Sequence, residues 1–287
     1  MNLREKLSLK KFVVTVELDP PKSIDLNKIL EEVNSVEFRK IVDAVNVTDC
    51  PLAKLRMSPI ALSHIIQEKT ELEAIFHITC RDRNLLGLQA ELLGASVLGV
   101  RNILALTGDP PQMGDYVMAT GVYDVDSVEL VRMINSLNNG YEYKGKELTS
   151  RTNFFTGIAV NPSAKDFKKE MNRFEEKISA GANFVQTQPV YDIEILVRFL
   201  ESTSHINIPK IIGIMPLKSY RMIEYLNNNL PEIFIPSDVR ERMNGGGIEE
   251  GIKISQEFIE KIHDFTEISG IHIFPLRDMD LVCRLFN

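Results

Sequence analysis

Two carboxylates stand close to the ends of buried, β-branched stretches of this sequence. Glu17 lies in "VTVELDPP" and Asp109 lies in "LALTGDPP". The prolines that follow each carboxylate prevent an immediate helix, so both side chains sit where a strand gives way to a loop. When two carboxylates face one cavity, different surroundings raise the pKa of one and keep the other ionised. The pair therefore indicates proton-transfer chemistry.

Other polar side chains lie within or just after the ends of the other apolar stretches. They are Thr48, His77, Thr79, Asp82, Asn161, Gln186, Gln188 and Tyr220. Each of them taken alone is more often structural than catalytic, and His77, inside an apolar run, is interpreted as a hydrogen-bonding pocket residue. Together they favour a site, because burying many unrelated polar groups costs free energy unless they serve one another or a ligand.

The elements that must position these residues alternate regularly. Apolar, β-branched runs occupy 12–18, 44–47, 74–78, 102–106, 154–160, 184–187, 210–214 and 270–274. Amphipathic helical patterns lie between them, over 26–38, 60–71, 85–98, 125–137, 164–180, 193–202, 219–227 and 251–265. Continuously apolar strands that alternate with helices indicate a parallel sheet covered on both faces.

Eight such units predict an α/β fold of the closed (β/α)₈, or TIM, barrel type, as a single domain over 1–287. The competing fold is an open doubly wound sheet, whose first strand usually leads into a glycine-rich dinucleotide turn. Here that strand leads into "ELDPPKSIDL", which favours the barrel. The polar stretch 138–150 is interpreted as a surface excursion or hairpin. In a barrel the polar residues listed above meet at the carboxyl ends of the strands.

The charge, the lengths of the apolar runs and the cysteine count argue against several classes of protein. A net charge of −7 argues against nucleic acid as the main partner, and no apolar run approaches the ~20 residues of a membrane span. Three scattered cysteines favour a reducing cytoplasm, and no spacing of His, Cys or Asp suggests a metal site. We therefore expect a cytoplasmic enzyme with a small-molecule substrate.

Five motifs occur in an order that resembles the methylenetetrahydrofolate reductase family over essentially the whole chain. They are "ELDPP", "FHITCRD", "LTGDPP", "SAGANFVQTQPVYD" and "GIMPLKSY". The chain is similar to the bacterial catalytic barrel alone, and its loops are most similar to reductases of acetogenic bacteria and to reductase domains fused to homocysteine methyltransferases. The resemblance implies that a flavin passes a hydride to 5,10-methylenetetrahydrofolate and that 5-methyltetrahydrofolate is formed.

The resemblance also implies roles for individual residues. Glu17 would be the general acid, and Asp109 would lie between flavin and pterin. Gln188 and Tyr220 would bind the substrate. The flavin would contact Thr48, His77, Asp109, Asn161, Glu170 and Lys177. Three positions depart from the enterobacterial pattern: Thr107 replaces an arginine, Gly157 a tyrosine and Asn161 a histidine, while Glu170 replaces an aspartate. FAD is the expected cofactor, with FMN as the alternative.

Alternatives remain for the electron donor and for the function. The donor is either NAD(P)H or an iron–sulfur partner protein of a larger reductase, and we expect a homo-oligomer. A flavin-free folate-binding or lyase barrel is the different class of function. Lyase barrels often form a Schiff base on a strand-end lysine, and none of the eight predicted strands ends in one.

Overall fold

The β-branched runs form eight parallel strands, which the computed structural model describes within residues 1–230 and 232–287. The strands are β1 (Val13–Leu18), β2 (Ala44–Val47), β3 (Glu73–Thr79), β4 (Asn102–Leu106), β5 (Phe155–Val160), β6 (Phe184–Pro189), β7 (Lys210–Ile214) and β8 (Ile268–Ile273). They pair in sequence order, and β8 pairs with β1 to close the barrel, with Val14 opposite Ile271. The predicted (β/α)₈ barrel is confirmed.

Helices surround the barrel. They are α1 (Leu3–Ser8), α2 (Asn27–Val33), α3 (Val36–Ile41), α4 (Pro59–Thr70), α5 (Leu85–Val97), α6 (Ser127–Asn138), α7 (Phe167–Ser179), α8 (Ile193–Ser202), α9 (Tyr220–Asn229), α10 (Ser237–Met243), α11 (Gly247–His263) and α12 (Asp280–Arg284). None of the helices in the described ranges is both long and apolar enough to cross a membrane.

Several helices differ from the sequence prediction, which lacks α10 and α12, and two of these differences have local causes. The single helix predicted over 26–38 is two helices, because the Ser35 hydroxyl accepts a hydrogen bond from the Phe38 backbone nitrogen and starts α3 anew. The first helix, α1, was not predicted. Its start is fixed by a capping box in which Asn2 and Glu5 each accept a hydrogen bond from the other's backbone nitrogen.

The barrel interior is closed at the amino ends of the strands. Leu3 and Leu7 of α1 pack there against one inward-facing side chain from each of seven strands. Those side chains are Val13, Ala44, Ile75, Leu104, Phe155, Phe184 and Ile211. The strand residues between these inward-facing positions, such as Val14 and Val16, point outward and pack against the helices in the main core. Apolar side chains therefore fill the amino end of the barrel interior, and a polar site can form only in its middle or at its carboxyl end.

The polar stretch 138–150 also lies at the amino end, because it connects α6 to β5. Tyr141 and Glu147 pair there in an antiparallel bridge, as expected for a small hairpin. Lys144 and Lys146 are exposed in this hairpin.

Candidate active site

Glu17 lies on the inner face of β1, near the carboxyl end. Along this strand Val13 and Thr15 also point inward, since side chains alternate with a period of two. The Glu17 side chain is only partly accessible to water, and burial together with the nearby Asp19 carboxylate raises its pKa to about 8. No hydrogen bond from the described residues reaches this carboxyl group. Glu17 is therefore protonated near pH 7 and free to donate that proton.

Asp19 was not singled out by the sequence analysis, yet it organises this edge of the site. One carboxylate oxygen accepts a hydrogen bond from the Thr48 hydroxyl at 2.9 Å. The other lies 3.0 Å from Nε of Arg277. Asp19 thus joins the ends of β1, β2 and β8. Asp19 could have been recognised in the sequence because it lies two residues after Glu17, and side chains two residues apart in an extended chain point to the same side.

A layer of buried polar side chains lies deeper in the barrel. The amide nitrogen of Asn46 lies 2.7 Å from Oε1 of Gln186 and 3.0 Å from Nε2 of His77. The Gln186 amide donates to the Thr15 hydroxyl at 3.1 Å, and Thr15 lies 2.9 Å from Nδ1 of His272. Gln186 was expected at the rim; it is buried here instead, because it lies one inward-facing position below Gln188.

The donors and acceptors of this layer fix the tautomer of His77. The Asn46 amide nitrogen can only donate, so Nε2 of His77 accepts and its ring proton lies on Nδ1. Thr15 accepts from Gln186 and lies within hydrogen-bond distance of both Nδ1 of His272 and the Ile271 carbonyl, so its hydroxyl can stabilise either tautomer of His272. Burial lowers the pKa of both histidines to about 3. Both rings are therefore neutral, and neither is a proton donor of the imidazolium type near pH 7.

Asp109 follows β4 and reaches back to the loop after β2. Its Oδ2 accepts a hydrogen bond from the Leu52 backbone nitrogen at 2.8 Å. Leu52 and Cys50 both have left-handed backbone angles, with φ of 53° and 46°. Gly108 is needed beside Asp109, because its φ is +90° and a Cβ there would lie 2.9 Å from Cβ of Thr79. Asp109 thus fixes a strained loop while remaining partly accessible at the rim.

Asn161, Glu170 and Lys177 form the wall beyond β5. Glu170 accepts from the Asn161 backbone nitrogen at 2.8 Å, and the Asn161 amide donates to the Glu232 carbonyl at 3.1 Å. The buried Lys177 ammonium donates to the Ala159 carbonyl at 2.8 Å, and burial lowers its pKa. The structure brings these three residues together, with their polar groups bonded mainly to the backbone.

Gly157 departs from the family pattern for a reason visible in the packing. A Cβ at this position would lie 2.3 Å from Cζ of Phe184, so the phenyl ring fills the space that a larger residue would need. The ring also stacks on Phe155, with the centroids 5.1 Å apart. Thr107, by contrast, faces outward, where its hydroxyl accepts a hydrogen bond from the Ser127 backbone nitrogen.

Gln188 and Tyr220 lie at the carboxyl ends of β6 and β7. Within the described ranges the Gln188 side chain makes no hydrogen bond, and it is partly exposed. Tyr220 is the first residue of α9, and its side chain is 41% exposed. Both therefore keep polar groups available to a ligand at the same rim as Glu17.

The rim suits the ring system of a flavin. An isoalloxazine needs an apolar face and a polar edge of donors and acceptors. Leu106 and Ala159 are partly accessible and apolar, and Asp109 supplies a partly accessible carboxylate at the same rim, whereas Thr48 is buried and its hydroxyl donates to Asp19. The apolar surface and the Asp109 acceptor fit the ring; the buried Thr48, Asn161 and Lys177 shape the wall of the site and do not present free donors. In the described part of the chain, no cluster of side chains could hold a metal ion.

The family model and the curated relatives indicate one family. The family model for methylenetetrahydrofolate reductase matches residues 2–286. "Methylenetetrahydrofolate reductase 2" of Schizosaccharomyces pombe is 27% identical over 241 residues, covering 76% of this chain and 36% of that protein. "5,10-methylenetetrahydrofolate reductase" of Buchnera aphidicola is 23% identical over 303 residues, covering 100% of this chain and 94% of that protein.

A solved structure shares the fold. It is described as an uncharacterized protein from Clostridium thermocellum that binds two copies of 5-methyl-5,6,7,8-tetrahydrofolic acid. It superposes with a TM-score of 0.66 at 15% identity and covers 99% of this chain and 95% of that one. At this identity the likeness supports the barrel alone. The chain spans about a third of the length of the S. pombe relatives, at 36% and 35%.

Proposed function

The chain belongs to the methylenetetrahydrofolate reductase family, and from this we propose that it reduces 5,10-methylenetetrahydrofolate to 5-methyltetrahydrofolate. The reaction adds one proton and one hydride to the substrate. The proton opens the five-membered ring at a nitrogen and leaves an iminium, and the hydride then adds to the methylene carbon. The site must therefore hold a proton donor beside a place for a hydride donor.

Glu17 is the observation that carries this proposal. A carboxylic acid with a pKa of about 8 keeps its proton near neutral pH and can still release it to a substrate nitrogen. The two histidines nearby are neutral and committed to the buried layer, so they do not compete for this role. Partial access to water at the rim lets Glu17 regain its proton after each turnover.

The hydride donor we propose is a flavin, with Thr48 and Asp109 at its polar edge and Leu106 and Ala159 at its apolar face. When bound, the flavin would supply the hydride transfer, which no protein side chain can perform. The protein would orient the ring and exclude water from it. Asn161, Glu170 and Lys177 would form the wall toward its ribityl chain, and we expect FAD, with FMN as the alternative.

Gln188 and Tyr220 are proposed to bind the folate. The Gln188 amide offers both a donor and an acceptor, which matches the edge of a pterin. Tyr220 offers an aromatic face at the neighbouring strand end. Asp109 would accept a hydrogen bond from the pterin or tune the flavin, in addition to fixing the Leu52 loop.

Purified protein tests this proposal directly. We expect an absorption band near about 450 nm from bound flavin, and bleaching of that band on reduction. Anaerobic addition of methylenetetrahydrofolate should restore the band and form 5-methyltetrahydrofolate. Absence of flavin after reconstitution with both FAD and FMN, together with no methyl product, would contradict it. Trials with NADH, with NADPH and with a co-purified iron–sulfur protein identify the electron donor.

A further inference from the structure

Helix α5, which connects β3 to β4, is apolar on the side that faces water. Its four largely exposed residues are Leu86, Ala90, Leu93 and Val97. The exposed fractions of Leu86 and Val97 are 77% and 87%. We refer to these four side chains as the outer face of α5. The opposite side of the helix, with Leu88 and Leu92, is buried in the core, so α5 is apolar all round.

Helix α7 shows what the water-facing side of a helix in this barrel otherwise looks like. It has the same length as α5, 13 residues. Its exposed residues are all polar: Lys168, Lys169, Asn172, Glu175, Glu176 and Ser179. A surface helix normally has a polar face toward water, and a helix that is apolar all round is normally covered on every side. The outer face of α5 is therefore expected to be covered by a partner.

The spacing of the outer face is that of helix-to-helix packing. The four residues follow one another at intervals of four, three and four, which keeps them in line along one side of the helix. This is the interval pattern of the apolar positions in a coiled coil, where each side chain inserts between side chains of a facing helix. A second helix is thus the element that fits the outer face.

The outer face is complementary to a second copy of itself that runs in the opposite direction. A two-fold axis between Ala90 and Leu93 sets Ala90 of one copy opposite Leu93 of the other, and sets Leu86 opposite Val97. Near the axis a large side chain therefore meets a small one. A two-fold interface uses the same surface on both subunits, so it requires this kind of self-complementarity.

The surfaces on both sides of α5 make the patch large enough for a dimer. On one side lies α4, since a Cβ on Gly94 would be 3.9 Å from Cδ1 of Ile60. On the other side lies the hairpin, whose Tyr143 nitrogen donates to Gln89 at 2.9 Å. A helix of this length is about 20 Å long and about 10 Å wide, so the three strips together cover about 20 by 30 Å. Two copies would bury on the order of 1,200 Å², the lower end of the range for specific interfaces.

The charge distribution also favours a second copy. The chain has a net charge of −7, so two copies repel each other unless they meet where charge is sparse. Helix α5 has one charged residue, Glu91, which lies 3.7 Å from Arg83, and residues 59–67 of α4 include no Asp, Glu, Lys or Arg. The exposed Lys144 and Glu147 of the hairpin, of opposite sign, form a polar rim. A partner recognised through its charge would find little to bind at the centre of this surface.

We propose that two copies of this chain form a two-fold symmetric dimer in which the outer faces of α5 pack against each other in antiparallel directions. This inference does not depend on the proposed function. Helix α5 lies on the outside of the barrel, whereas Glu17 and Asp109 lie at the carboxyl ends of strands. Pairing through α5 therefore leaves the site of each copy open.

Analytical ultracentrifugation of the purified protein tests the dimer. Wild type should dimerise with a dissociation constant on the order of 1 μM, as expected for an interface of this modest size. Leu93→Glu/Val97→Glu brings carboxylates into an apolar contact and should raise that constant by about 10²-fold or more. The control Asn172→Glu/Ser179→Glu adds the same charge to the exposed side of α7 and should dimerise like wild type.

Disulfide cross-linking tests the direction of the two helices. In Leu86→Cys/Val97→Cys each introduced thiol lies opposite one of the other copy, so mild oxidation should give a covalent dimer. Leu86→Cys alone should not cross-link, because the two copies of residue 86 would be about 16 Å apart along the helices, too far for a disulfide. Wild type, with its own three cysteines, is oxidised in parallel as the blank.

A wild type that stays monomeric well above micromolar concentration would overturn the inference, as would a dimer that persists in Leu93→Glu/Val97→Glu. Equal loss of the dimer in the α7 control would also overturn it, because net charge and not the outer face would then control association. Efficient cross-linking of Leu86→Cys alone would contradict the antiparallel pairing. Thermal unfolding of each variant checks that the fold is retained.

Discussion

The Asp109 carboxylate at the end of β4 accepts a 2.8 Å hydrogen bond from the backbone nitrogen of Leu52, in the loop that follows β2. This one contact ties the loop after β2 to the end of β4, across the intervening β3, and holds a loop with left-handed residues in place. Asp109 therefore has a structural role beside any part it plays in chemistry, and the two roles are separable by mutation.

Asp109→Asn and Asp109→Ala should behave differently. The asparagine keeps an oxygen acceptor for Leu52, so we expect stability near that of wild type, with an altered rate of flavin reduction and slower folate reduction. The alanine leaves the Leu52 nitrogen without its partner and should lower the free energy of unfolding by about 1–2 kcal/mol. Chemical denaturation and stopped-flow absorbance measure the two effects. Unchanged rates in both half-reactions of Asp109→Asn would remove Asp109 from the chemistry.

Asp19→Asn should move the pH dependence of the folate half-reaction. The Asp19 charge raises the pKa of Glu17, so its removal should shift the loss of activity at high pH to a lower pH. The matched control is Asp278→Asn, another rim carboxylate, which pairs with Lys218. A profile that shifts equally in both variants, or in neither, would show that Asp19 does not tune Glu17.

The acid stability of the protein should depend on His272. This buried ring has a pKa of about 3, whereas in the unfolded chain it titrates near 6.5. Between these values the unfolded state binds a proton that the folded state does not, so stability is lost as the pH falls through this window. His272→Asn keeps an acceptor for Thr15 and should make that loss shallower, by about 1 kcal/mol per pH unit.

Urea unfolding at several pH values between 7 and 4.5 checks this expectation. His263→Asn is the control, because the side chain of His263 is 71% exposed. Identical slopes for wild type and His272→Asn would mean that His272 is not buried in its neutral form.

Gln188→Ala should weaken folate binding by roughly tenfold, the loss of one or two hydrogen bonds to a bound ligand. Its amide makes no hydrogen bond within the described residues, so the fold should not depend on it. Flavin reduction should stay close to wild type. If the affinity for 5-methyltetrahydrofolate is unaltered, Gln188 is only the structural end of β6.

The barrel could be predicted from the sequence because its strands are continuous apolar runs and its helices are amphipathic, and both are local patterns. The break at Ser35 was missed because the apolar spacing continues across it. Asp19 was missed because its partners Thr48 and Arg277 lie 29 and 258 residues away, and only barrel closure brings them together.

The hydrogen bonds of the buried polar layer could not be predicted either, because their partners are also far apart in the sequence. Asn46 and Gln186 are 140 residues apart in sequence, and although Gln186 lies in the motif "SAGANFVQTQPVYD", nothing in that motif points to Asn46. Gln186 was placed at the rim because it shares a strand face with Gln188, and the sequence does not say how deep in the barrel each of them lies. Glu17 was found, but its raised pKa depends on burial that only the assembled barrel provides.

The central claim is that Glu17 donates the proton for folate reduction. Glu17→Gln keeps the shape of the side chain and removes the acid. Flavin binding and flavin reduction should stay close to wild type, since neither step needs this proton. Oxidation of the reduced flavin by methylenetetrahydrofolate should become slower by about 10²-fold or more, the lower end of what general acid catalysis contributes.

Anaerobic stopped-flow measurement of the two half-reactions, from pH 6 to pH 9, tests this claim most directly. In wild type the folate half-reaction should fall as the pH rises through about 8, where Glu17 loses its proton, and in Glu17→Gln it should be slow and independent of pH. A Glu17→Gln folate half-reaction within a few-fold of wild type, with the same fall near pH 8, would contradict the assignment of Glu17 as the proton donor.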